Sequence, residues 1–68
     1  MSYSDAQLQS AVERVIANDA DIQEMILEAK RRKNRGFIAN IVIDVARSVF
    51  GAVIGDIVRR VIDRLLNV

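Results

Sequence analysis

Residues 37–66 read FIANIVIDVARSVFGAVIGDIVRRVIDRLL, and this stretch decides the fold of the chain. Apolar residues recur in it as adjacent pairs at every fourth position, with mostly small or charged residues between the pairs and no proline. Because an α-helix has 3.6 residues per turn, a four-residue spacing rotates each pair by about 40° from the last. The stretch therefore predicts a helix whose apolar side chains cover most of its circumference and need helical neighbours on several sides.

Two glycines leave the continuity of this helix open. Gly51 and Gly55 each cost about 1 kcal/mol relative to alanine inside a helix, so a break near Gly51 into two shorter helices is one interpretation. We favour the other, a continuous helix about 45 Å long. The four-residue spacing of the glycines also suits a small-residue groove that another helix approaches closely. Either a neighbouring helix of the same chain or a second copy could occupy such a groove.

A short amphipathic helix is predicted over residues 5–17. Ser4 and Gln7 have the spacing of a capping box, in which each side chain satisfies a free backbone N–H of the other residue. The apolar residues that follow share one helical face, which suits packing against the longer helix. They are Leu8, Val12, Val15 and Ile16.

A second short helix is predicted over residues 22–34. Residues 18–21 are rich in Asn and Asp, which favour turns and N-caps over helix interiors. We expect Asp21 to cap the second helix, with Asp19 as an alternative cap and a kinked continuous helix as a competing interpretation. Gly36 is the expected left-handed residue of the tight turn that follows.

Charge is segregated along the chain, although the net charge is only +1. Residues 1–29 hold six acids and one base, whereas residues 30–35 hold five bases and no acid. This basic cluster predicts contact with anionic lipid headgroups or nucleic-acid phosphate, unless it is a solvated helix end that balances the acids. Nucleic acid is the less favoured partner because no aromatic residue interleaves the bases. The cluster consists of Lys30, Arg31, Arg32, Lys33 and Arg35.

The chain lacks the residues that several classes of catalytic and binding site require. The chain has no cysteine and no histidine, so it lacks disulfides, ordinary zinc ligands, the commonest general base and the strongest nucleophile. Asp19 and Asp21 lack the glycine and the further ligands of a calcium loop. The three glycines are scattered, so no phosphate-binding loop is formed. We therefore expect no catalytic residue, metal, cofactor or small-molecule substrate.

The membrane interpretation depends on residues 37–58, which are long enough to span a bilayer and follow the basic cluster. Three charged residues, Asp44, Arg47 and Asp56, would then lie in the hydrocarbon. Each would raise the free energy of insertion by about 2.5–3.5 kcal/mol. A span by a single chain is therefore not expected, and surface association or insertion after assembly is the alternative. The N-terminus shows no pattern of a secretory signal, so we expect a cytoplasmic location, with a membrane-peripheral one as the alternative.

Together these patterns predict one small all-α domain over residues 1–68 with two short helices and one long helix over residues 37–66. The long helix carries more apolar surface than the short helices can cover, so we expect a homo-oligomer or docking to another helical protein. A membrane-active helical protein that uses residues 37–58 and the basic cluster is the second hypothesis, and nucleic-acid binding is the third. The predicted oligomer interface consists of Val45, Val49, Gly51, Val53, Gly55, Ile57, Val61 and Leu65.

Overall fold

Four α-helices make up the fold in the computed structural model, which describes residues 3–67. The described residues contain no strand, and the all-α prediction is confirmed. The helices are α1 (Asp5–Asn18), α2 (Ala20–Arg31), α3 (Arg35–Phe50) and α4 (Gly55–Leu66).

The start of α1 is a capping box. The Gln7 N–H donates to the Ser4 Oγ at 3.2 Å, and the Ser4 N–H donates to the Gln7 Oε1 at 2.9 Å. These two bonds satisfy backbone donors that have no partner inside the helix. The capping prediction for this end is confirmed.

A single residue, Asp19, separates α1 from α2. Its backbone is extended (φ −113°, ψ 106°), and its Oδ1 accepts from the Ile22 N–H at 3.1 Å. The Gln23 side chain donates back to the Ala17 carbonyl at 2.6 Å, which satisfies a free acceptor at the end of α1. The kinked continuous helix and the cap at Asp21 are therefore both wrong, because Asp19 caps α2 two residues earlier.

The end of α2 also differs from the prediction. The Lys33 N–H donates to the Lys30 carbonyl at 3.1 Å, and the Asn34 N–H donates to the Ala29 carbonyl at 2.8 Å. This pair of bonds is a Schellman motif, and its left-handed residue is Lys33, with a φ of 55°. The left-handed position expected at Gly36 is therefore wrong.

Asn34 explains why α3 begins before Gly36. The Asn34 Oδ1 accepts from the Phe37 N–H at 3.1 Å, so Asn34 is the N-cap and α3 begins at Arg35. Gly36 thus lies in the first turn of α3. The helix predicted to run to residue 34 ends at Arg31 because the two caps require residues 32–34 for the turn.

Lys33→Gly is expected to stabilise the chain. A left-handed conformation costs an L-residue about 1–2 kcal/mol, and glycine avoids most of this cost. Part of this gain is lost because glycine also raises the conformational entropy of the unfolded chain. The free energy of unfolding should therefore rise by about 0.5–1 kcal/mol, and Tm by about 4 °C. Thermal and urea unfolding measure both. Lys33→Ala is the control, because it removes the same charge without relieving the backbone strain. Equal stability of the two variants would contradict the left-handed backbone at Lys33.

The α3–α4 junction overturns the favoured sequence interpretation. Gly51 has a φ of 72° and donates its N–H to the Arg47 carbonyl at 2.8 Å, which ends α3. The chain then turns, and α4 begins at Gly55. The continuous helix over residues 37–66 is wrong, and the alternative break near Gly51 describes the structure. The turn lets α4 fold back, so that one chain buries its own apolar pairs.

All four helices contribute to the core. α3 packs against each of the other helices, and α4 packs against both α1 and α3. No polar or charged residue is buried among residues 3–67. The turn after α3 divides the apolar pairs, and the two pairs within residues 41–46 and the two within residues 57–62 are buried. Phe50, Leu65 and Leu66 are half-buried against the core, whereas Val49, Val53 and Ile54 are exposed. The largest fully buried side chains are Ile38, Ile57, Val12, Val42 and Val61.

Candidate interaction surfaces

The eight residues predicted as an oligomer interface fall into two groups. Ile57 and Val61 are 0 % exposed, Val45 is also buried, and Leu65 is half-buried against the core. Ile57 and Val61 therefore have no surface left to contact a further chain while the four helices are packed as described. The other four, Val49, Gly51, Val53 and Gly55, lie exposed at one end of the bundle.

That end carries a grouped hydrophobic surface, which we name the apolar end. It includes Val49, Val53 and Ile54, which are 38 %, 41 % and 36 % exposed, and Tyr3, which is 66 % exposed. A groove between α1 and α3 brings Tyr3 beside Val49, and the half-buried Phe50 and Leu8 also line it. The apolar end consists of Tyr3, Leu8, Val49, Phe50, Val53 and Ile54.

The predicted interface missed four of the six residues of the apolar end. Ile54 is the partner of Val53 in one of the apolar pairs, and Phe50 is the partner of Val49. Placing the helix break at Gly51 would have identified both, because a turn leaves the pairs beside it without a neighbouring helix. Tyr3 carried no such signal, since only the packing of α1 against α3 brings it to this surface.

The two glycines do not form the groove that their spacing suggested. Gly51 is the C-cap of α3 and Gly55 is the first residue of α4, so they do not lie on one helix face. A Cβ added at either position would meet no atom within 4 Å. Within one chain, therefore, no helix packs closely on either glycine.

The basic cluster lies at the α2–α3 turn, and acids of the same chain neutralise part of it. Arg31 and Arg32 both form ion pairs with Glu28, and the Arg35 Nη2 lies 3.3 Å from the Asp63 Oδ1. The hydrogen bond from Arg31 and its charge, with a further contribution from Arg32, hold the pKa of Glu28 below its ordinary value. Contact of this cluster with an anionic partner stays a prediction.

The basic cluster and the apolar end lie at opposite ends of α3. The 16 residues of this helix separate them by about 24 Å. The exposed face of α3 between them carries Asn40, Asp44 and Arg47, which are polar or charged. No apolar stripe therefore connects the cluster to the apolar end, as a helix lying in a membrane surface requires.

A second groove, between α2 and α3, has a different character. Met25 and Phe37, each 41 % exposed, lie in it beside Asp21, Glu24 and Glu28. The acids surround a small apolar surface, so this groove offers fewer exposed hydrophobic side chains than the apolar end does.

Neither the rest of the structure nor comparison with known proteins points to another kind of site. Residues 3–67 hold no group of acids that could bind a metal ion. None of the helices in this part of the chain is both long and apolar enough to cross a membrane. No protein-family model, curated protein or solved structure matches the chain. The interpretation therefore rests on the surfaces described above.

Proposed function

We propose that this chain is a non-catalytic helical module that associates with a second copy of itself through the apolar end. The observation that carries the proposal is the exposure of Val49, Val53 and Ile54 at the end of α3 and in the turn after it, with Tyr3 beside Val49 in the adjacent groove. Exposed hydrophobic residues on small monomeric proteins are usually scattered singly, and a contiguous group is typical of an interaction site. The core of the chain is already complete without them.

A second copy suits this surface because the surface offers both an exposed aliphatic turn and a groove. Val49 lines the groove together with Tyr3 and Leu8, and Val53 lies exposed in the turn that follows α3. In a twofold dimer each patch contacts the same patch of its partner, so the turn of one copy can lie against the groove of the other. Val53 and Ile54 carry no charge that would repel the second copy.

The membrane and nucleic-acid hypotheses receive less support. Both depend on the basic cluster, where Arg31, Arg32 and Arg35 already contact acids of the same chain. The membrane hypothesis also needs the cluster and the apolar surface side by side, whereas α3 holds them apart.

Val53→Asp is expected to abolish self-association while leaving the fold intact. Val53 is 41 % exposed, and a carboxylate just before α4 is compatible with the positive end of the helix dipole. In a dimer the same carboxylate would be buried without a partner, which is unfavourable. Light scattering in detergent-free buffer should give a multiple of 7.6 kDa for the parent and 7.6 kDa for the variant. Circular dichroism should show equal helicity.

Leu27→Asp is the matched control. Leu27 is 62 % exposed on α2, outside the apolar end, so the same change there should leave the mass of the parent assembly unaltered. Self-association through the apolar end is refuted if the parent has the mass of one chain at every concentration, or if Val53→Asp assembles as the parent does. A protein that is soluble only with detergent would favour the membrane hypothesis instead. A shift with duplex DNA or RNA that weakens steeply with salt would favour nucleic acid.

A further inference from the structure

The α3–α4 turn is the least reinforced junction of the fold. The other three helices each have a side-chain N-cap, provided by Ser4, Asp19 and Asn34. The N-cap of α4 is Ile54, which makes no such hydrogen bond and belongs to the least favoured residue types at this position. The first N–H groups of α4 therefore have no side-chain acceptor.

Only Gly51 enforces the break between the two helices. Its left-handed backbone ends α3, whereas Ala52, Val53 and Ile54 are residue types that an α-helix tolerates. Residues 51–56 are all exposed, so straightening this segment uncovers no core side chain of its own. A straight helix would supply backbone acceptors to the uncapped N–H groups of α4.

Straightening the turn has one large consequence, because it carries α4 away from its own α1 and α3. Four buried side chains would be uncovered, and a free helix of 12 residues is not stable in water. In the structure α4 packs in the groove between α1 and α3. A second copy presents the same groove. The side chains concerned are Ile57, Val58, Val61 and Ile62.

We propose that two copies exchange α4, with residues 35–66 of each forming one continuous helix. Each α4 then packs into the α1–α3 groove of the other copy and keeps the same core contacts. The ion pairs Glu13–Arg64, at 3.1 Å, and Arg35–Asp63, at 3.3 Å, form between copies instead of within one. Exchange of an identical element is a low-cost route to a dimer, and short connecting turns favour it.

This inference deepens the proposed self-association and rests on it. Val49 lies beside the segment that straightens and Val53 lies within it, so the two copies meet near these residues.

Gly55→Pro distinguishes the single chain, which has the α3–α4 turn, from the exchanged dimer, which has one helix over residues 35–66. Gly55 is the first residue of α4, where proline is favoured, and the extended backbone of Ile54 (φ −108°, ψ 107°) suits a residue before proline. The open space around the Gly55 Cβ position admits the ring. In a continuous helix, by contrast, Pro at this position would lose its hydrogen bond and clash with the Gly51 carbonyl.

The opposite change is the double variant Gly51→Ala with Gly55→Ala. Alanine disfavours the left-handed conformation at Gly51 and favours a continuous helix at both positions. Gly55→Ala alone is the control, because alanine at that position is compatible with both forms.

The variants should be unfolded in urea, refolded at a series of protein concentrations, and measured by light scattering and circular dichroism. We expect Gly55→Pro to have the mass of one chain with the parent's helicity. The double-alanine variant should dimerise at least about tenfold more tightly than Gly55→Ala and show more helix per chain. The exchange is overturned if Gly55→Pro assembles as tightly as the parent, or if the double-alanine variant has the mass of one chain throughout.

Comparison with Val53→Asp distinguishes this inference from the proposed function. If Val53→Asp dissociates the assembly and Gly55→Pro does not, the apolar end is a simple contact surface and α4 is not exchanged. If Gly55→Pro dissociates it and Val53→Asp does not, α4 is exchanged and the apolar end is not required. Single chains for both the parent and the double-alanine variant would refute both proposals.

Discussion

Val61→Asp is expected to unfold the chain and not merely to dissociate it into folded single chains. Val61 is 0 % exposed, and no polar or charged residue is buried in residues 3–67 to pair with the new carboxylate. An unpaired buried charge costs several kcal/mol. The whole stability of a 68-residue chain is about 3–10 kcal/mol at the usual 0.05–0.15 kcal/mol per residue. Far-UV circular dichroism and urea titration should show lost helicity and no cooperative transition.

The same substitution at Val53 is the control for this result. Val53 and Val61 belong to the same predicted interface, but only Val53 is exposed in the structure. Val53→Asp should keep a cooperative transition, with a free energy of unfolding lowered only by the stabilisation that self-association adds to the parent. A Val61→Asp variant that stayed helical with only its mass altered would contradict the burial of Val61 in the helical core.

Ile57→Ala should lower the free energy of unfolding by about 2–5 kcal/mol. Ile57 is 0 % exposed and lies in the first turn of α4, where α4 packs against α1 and α3. Truncation removes buried methyl groups and leaves a cavity that the surrounding helices fill only in part. Because α4 has no side-chain cap, no local interaction would compensate for the loss. The midpoint of urea unfolding measures the effect.

Ile54→Ala is the matched control, one turn earlier in the same chain. Ile54 is 36 % exposed, so the same truncation there should cost about 1 kcal/mol or less. Equal losses at the two positions would mean that α4 does not pack in the α1–α3 groove as described. Such a result would also remove the surface on which the exchange of α4 depends.

Local features of the chain were readable from the sequence. The capping box of Ser4 and Gln7 and the turn near Asp19 follow from side chains that bond to backbone groups a few residues away. The choice between Asp19 and Asp21 as cap was not readable, because both residues satisfy the same local rule. The left-handed backbone of Lys33 was not readable either, because local preference favours the glycine at position 36.

The sequence by itself determined that the chain is helical, where its first helix begins, and that branched aliphatic pairs must supply the core. Only the tertiary structure decided whether residues 37–66 form one helix or two. Gly51 is compatible with both at a cost of about 1 kcal/mol, so local preference does not decide. Burial does, because folding α4 back covers Ile57 and Val61 within one chain and leaves Val49 and Val53 exposed. The division of the apolar pairs between core and surface follows from that one turn.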